Sequence, residues 1–275
     1  MFKARWLAGL SLVGMVACSD GFSRGARDLA PAGGDRDLAG FVKPEDVDLA
    51  GFDFPPALGT IYAHTAKTLY TVDPTTFALT TIGDFGGTDD MTDLAVTPDG
   101  SVYTISKTSL YKVNEIDGHA TQLFSGIASS NVALTFQNNG TLLAADQAGT
   151  VRTIDPQTGV ITDIGTYGAG YDTAGDLVAV ADGTMFGVST KAPTLGSTTN
   201  VLIKVNTATA QATSVGKIGY QGVFGVAYSG GRVIAFTNMG EIIRIDPNTG
   251  TGTLVKTHAG VKFYGAGTSP LVPIL

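Results

Sequence analysis

The chain has 275 residues, 43% of them hydrophobic and 15% charged, which supplies a packed core and excludes the low-hydrophobicity, high-charge regime of disordered chains. A net charge of −7 leaves no electrostatic footprint for nucleic acid. One cysteine excludes an intramolecular disulfide, and three histidines leave little material for a histidine-rich zinc site.

The chain opens with Lys3 and Arg5, an apolar run from Trp6 to Ala17, and then Cys18. That run is too short to span a bilayer, which takes about 20 residues of helix, and it has the plan of a signal peptide over 1–17. Met15-Val16-Ala17-Cys18 resembles the lipobox of bacterial lipoproteins. The resemblance implies cleavage before Cys18, lipidation of its thiol, and a membrane contact made by acyl chains, each buried methylene contributing about 0.8 kcal/mol. Ser19 in place of aspartate is similar to the outer-membrane sorting signal of Gram-negative lipoproteins, so the expected location is the bacterial cell envelope, at the outer membrane.

Residues 18–58 form a segment of different character. Eight acids stand against four bases, and the phrase Asp37-Leu38-Ala39-Gly40-Phe41 returns as Asp48-Leu49-Ala50-Gly51-Phe52, with Pro31, Pro44 and Pro55-Pro56 interrupting any helix. Apolar residues are too sparse there to offset the entropy of ordering, so the segment reads as a flexible acidic tether with a reach of about 35 Å.

From Gly59 onward four features recur in order. An apolar inner segment ends in a tight turn, as in Asp93-Leu94-Ala95-Val96 before Pro98-Asp99-Gly100 and Asp176-Leu177-Val178 before Asp182-Gly183. Aspartate or asparagine followed by glycine supports a hairpin. A second strand follows (101–106, 141–146, 184–189, 232–237), then a third with alternating side chains, then a threonine-rich outer strand predicted over 77–82, 119–124, 160–164, 212–215 and 251–255. The third-strand markers Asp73, Asn114, Asp155, Asn206 and Asp246 are separated by 41, 41, 51 and 40 residues. Four strands about every 40 residues predict an all-β fold, a five-bladed β-propeller of four-stranded antiparallel blades over 59–275. The long interval places an inserted loop at 192–200. The first repeat lacks an inner strand, and Tyr264 to Thr268 supplies one from the other end of the chain, closing the ring. A monomer is expected.

Asp155-Pro156-Gln157-Thr158-Gly159 and Asp246-Pro247-Asn248-Thr249-Gly250 resemble the turn of secreted bacterial propellers related to the YncE, NHL and quinoprotein-like repeats. The resemblance covers 59–275 and implies architecture; such propellers include lactone hydrolases, signalling modules and binding scaffolds.

Propeller ligands commonly sit at the mouth of the central channel. The loops expected there carry Asp90, Asn131, Tyr171, Asp172 and Tyr220, with Tyr264 at the start of the closing strand. Asp93 and Asp176 open the inner strands of alternate blades and should face that mouth. Two readings stay open for this pair: hard oxygen ligands to calcium, helped by Asp90, Asp172 or Asn131, or caps that accept backbone amides. The lactone hydrolases this fold resembles use a glutamate beside the ion, whereas the glutamates here are Glu45, Glu115 and Glu241. The tyrosines could stack a sugar or peptide or anchor loops. No histidine has an evident nucleophile to serve. The sequence therefore reads as an envelope-anchored lipoprotein whose propeller binds or scaffolds a protein, peptide or glycan. A metal-dependent hydrolase and a purely structural envelope protein are the alternatives.

Overall fold

The computed structural model describes residues 59–272, apart from 128, 129, 169, 194 and 197. The signal peptide, Cys18 and the tether lie outside the described residues. Twenty strands form five four-stranded antiparallel sheets. The first blade holds β1 (Ile61–His64), β2 (Thr68–Val72) and β3 (Leu79–Asp84), and the second β4 (Asp93–Val96), β5 (Val102–Ile105), β6 (Ser109–Val113) and β7 (Ala120–Ser125). The third comprises β8 (Asn131–Phe136), β9 (Leu142–Asp146), β10 (Thr150–Ile154) and β11 (Ile161–Thr166). The fourth comprises β12 (Leu177–Ala179), β13 (Met185–Ser189), β14 (Val201–Val205) and β15 (Ala212–Lys217). The fifth holds β16 (Val223–Ser229), β17 (Arg232–Thr237), β18 (Glu241–Ile245) and β19 (Gly252–Thr257), and β20 (Gly265–Gly267) returns to the first blade, whose order is β20-β1-β2-β3.

The expected five-bladed β-propeller is the fold observed, and its closure is the one read from the chain ends. In β20, Ala266 pairs with Ala63 and Gly265 with His64, while the Tyr264 amide donates to the His64 carbonyl at 2.9 Å. Non-covalent pairing of the two ends covers the inner edge of β1, which would otherwise be open to a foreign strand.

Local turn chemistry sets the repeat. In the turn after each third strand an Asp or Asn side chain accepts amides two or three residues on: Asp155 Oδ1 takes Gln157 N at 2.8 Å and Thr158 N at 3.2 Å. The fifth residue of that turn has positive φ. Gly159 (74°) and Gly250 (73°) adopt it freely, but Phe77 (56°) and Ala210 (62°) occupy the same place in the first and fourth blades, a conformation that costs a non-glycine residue about 1 kcal/mol or more. This is why the first outer strand starts at Leu79 rather than at Phe77, two residues later than its threonine pattern predicts. The inserted stretch joins β13 to β14 as expected.

The core lies between sheets rather than within one. The inner strands are largely buried on both faces, and each apolar cluster joins two neighbouring blades: Ile105 and Leu110 of the second pack with Leu134, Phe136 and Leu142 of the third. Phe236 and Ile242 of the fifth pack with Ile61, Ala63 and Ala266 of the first. Each blade is therefore stabilised by its neighbours, the stacking logic of a closed repeat.

Candidate functional site

The five inner strands line the axis, so residues at the same height on each form a ring. One ring consists of Asp93, Ala133, Asp176, Gly225 and Gly265, as the hydrogen bonds made just beneath it establish. Asp93 Oδ1 accepts Leu94 N at 2.8 Å, and its Oδ2 accepts Leu134 N of the next blade at 2.6 Å. Asp176 Oδ1 accepts Leu177 N at 2.5 Å, while its Oδ2 takes Val226 N at 2.6 Å and Ala266 N at 3.2 Å. Two carboxyl groups thus satisfy one inward amide on every inner strand. Unpaired amides in a dry hub would each cost about 1–3 kcal/mol.

Both acids are 0% exposed. Burial pushes both carboxyls well above the usual range, and the charge of the neighbouring Asp176 adds to the rise at Asp93. They face the axis as expected, but they close the hub at this level rather than standing at an open mouth. Their oxygens are engaged by backbone amides, the arrangement of the capping reading. Among the described residues no group of three or more histidine, cysteine, aspartate or glutamate side chains is placed to hold a metal ion.

His64 adjoins the pair. Its ring is 0% exposed, and Nδ1 donates to the Thr65 carbonyl at 2.7 Å, which leaves Nε2 as an acceptor with no partner. A Cβ on Gly265 would overlap both Asp93 Oδ1 and His64 Nε2; glycine is required there by close approach. Desolvation lowers the His64 pKa from 6.5 to about 4.

One step above the acid ring stands a collar: Tyr264, Thr92, Val132, Gly175 and Phe224, one residue from each blade. These five border a recess of about 160 Å³. Tyr264 is 36% exposed, and its ring is tilted at 55° to that of Phe224 with centroids 6.3 Å apart. Lys107 and Gln147 stand on the rim. A second recess of about 400 Å³ shares Thr92, Lys107 and Tyr264 and extends toward Asp89 and Asp90.

The remaining expected residues are distributed unequally. Asp90 lines the larger recess and pairs with Lys67 at 3.0 Å. Asn131 is buried, and its Nδ2 donates to the Lys107 carbonyl at 3.1 Å, holding the rim loop. Asp172 is away from the collar: it accepts the Ser189 and Thr190 hydroxyls at 2.9 and 2.6 Å and lies 3.4 Å from Lys191 Nζ, pinning the start of the inserted loop. Its burial raises the carboxyl pKa, but the Thr190 and Ser189 hydrogen bonds outweigh that and lower it overall. Tyr171 and Tyr220 are loop anchors, their hydroxyls accepting Ser214 N at 3.1 Å and Leu254 N at 3.2 Å. Of the expected tyrosines only Tyr264 borders the mouth. Sequence reasoning missed Phe224, Thr92 and Val132, and the available signal was their place one residue above the ring position of each inner strand.

No protein-family model matches the chain, and a search of curated proteins finds no match. Solved structures do. The crystal structure of a nidogen/laminin complex contains a chain that aligns with a TM-score of 0.54 at 12% identity, over 78% of this chain and 100% of that one. A structure described as "The de novo evolutionary emergence of a symmetrical protein is shaped by folding constraints" aligns with a TM-score of 0.53 at 17% identity, again over 78% and 100%. At these identities the likeness is one of fold, and it agrees with the propeller architecture that the repeats imply.

Proposed function

We propose that the protein is a binding or scaffolding module of the bacterial envelope, lipid-anchored through Cys18, whose propeller recognises a protein, peptide or glycan at the collar. The observation that carries the reading is the division of labour along the axis. Asp93 and Asp176, the groups best suited to catalysis or metal binding by type, spend their oxygens on backbone amides, while the surface left free above them is aromatic and amphipathic, the composition of a recognition site.

The test uses the full-length chain in detergent as bait for envelope extract, beside a Tyr264→Ala variant. A partner retained by the first and lost from the second supports the reading. Retention indifferent to Tyr264 counts against the collar as the site. Anchoring is tested separately: a Cys18→Ser variant should move from the membrane to the soluble fraction and lose incorporation of labelled fatty acid.

A further inference from the structure

The size and charge of the collar restrict what can occupy it. A recess of about 160 Å³ lies below the ~300–1,000 Å³ of pockets that engulf a whole small ligand, so it accommodates one ring-sized group. Its wall offers Phe224 and Tyr264, already tilted toward one another at 6.3 Å, a geometry that a third ring extends by edge or offset contact. Thr92 Oγ1, on the same wall, is already hydrogen-bonded to the Ile105 and Asn131 carbonyls, both at 3.0 Å.

The charges are unequal too. Asp90 is neutralised by Lys67 at 3.0 Å. Asp89 accepts the Tyr111 and Ser106 hydroxyls at 2.6 and 3.0 Å, and these bonds hold its carboxyl below the usual range. Lys107 borders both recesses, and among the described residues no carboxylate lies within ion-pair distance of it.

Taking the collar as the binding site, we infer that it accepts one aromatic side chain of a peptide, with an adjacent carboxylate of that peptide held by Lys107 and the flanking backbone lying in the larger recess. The ring enters above the acid pair and displaces water from Phe224 and Tyr264; the carboxylate supplies the charge that Lys107 lacks.

Saturation-transfer NMR on the full-length chain tests this with N-acetylphenylalanine and N-acetylphenylalaninamide, which share a ring and differ by one negative charge. The acid is expected to bind at least about tenfold more tightly than the amide. Lys107→Gln should remove that difference, and Val132→Trp, which fills the recess, should abolish binding of both while leaving the melting temperature in place. Absence of saturation transfer to the acid, or equal affinity for acid and amide, overturns the inference. A glycan, or a peptide without an aromatic side chain, retained from extract in a Tyr264-dependent way overturns it as well, yet leaves the collar as the binding site. Failure of every Tyr264-dependent interaction removes the binding site itself.

Discussion

The second and fourth blades differ from the other three in what their inner strands place at the acid ring. They carry Asp93 and Asp176 where the third, fifth and first carry Ala133, Gly225 and Gly265. A fivefold ring of aspartates would crowd five carboxyls into one dry space, and a ring with none would strand five amides. Two acids among three small residues answer both problems, since each carboxyl serves its own strand and reaches one or two other inner strands. The repeats thus share backbone geometry while differing in role. The hub is asymmetric by necessity, and the aromatic side of the collar, Tyr264 and Phe224, lies over the glycine-bearing blades.

Removing the acids breaks that contrast most severely. Asp176→Ala strands three amides and should cost about 4 kcal/mol in urea unfolding, against about 3 kcal/mol for Asp93→Ala, which strands two. Equal losses, or losses under about 1 kcal/mol, would mean that water replaces the carboxyls and that the ring is not what holds the inner strands.

Next is the response to pH. Because the folded pKa of His64 is lowered from 6.5 to about 4, the unfolded chain binds a proton in that window that the folded one does not. Stability from this group is therefore complete above 6.5 and falls as pH drops toward 4, by up to about 3 kcal/mol. The acid pair acts with opposite sign: its raised pKa means that the folded state keeps a proton the unfolded chain releases above 3.8, so its contribution declines as pH rises. His64→Gln deletes the first effect and retains the second. Relative to the wild type, this variant should gain stability progressively from pH 6.5 to 4, and a constant difference across that range would contradict a buried neutral imidazole.

The small-residue side can be probed from both directions. Gly265→Ala drives a methyl into Asp93 and His64 and should cost about 2–3 kcal/mol, whereas Ala133→Gly, at the equivalent position, should cost about 1 kcal/mol. Similar values for the two would deny that the blades are inequivalent. The smallest effect belongs to the collar: Tyr264→Ala should change unfolding free energy by under about 0.5 kcal/mol, and a larger loss would mark the ring as structural rather than free for recognition.

Much of this architecture is legible in the chain because its determinants are local. Asp155-Pro156-Gln157-Thr158-Gly159 folds into its turn through bonds spanning two or three residues, so its recurrence reveals the period. The first outer strand begins two residues later than its sequence pattern predicts because Phe77, whose side chain disfavours positive φ, takes the turn position that glycine marks in the second, third and fifth blades. Less of the site was legible. Tyr171, Tyr220 and Tyr264 look alike as aromatic loop residues, yet the first two reach amides 43 and 34 residues away, and nothing near them in sequence announces those partners.

By itself the sequence determined the number of strands per unit, the number of units and the way the ends meet, since hairpin turns and side-chain alternation act over a few residues. Only the tertiary structure decided that two aspartates 83 positions apart would meet at the axis, accept one amide from each inner strand and lie beneath the aromatic collar. That outcome depends on bringing five separate strands to one axis, and the distances there are set by closure of the whole ring.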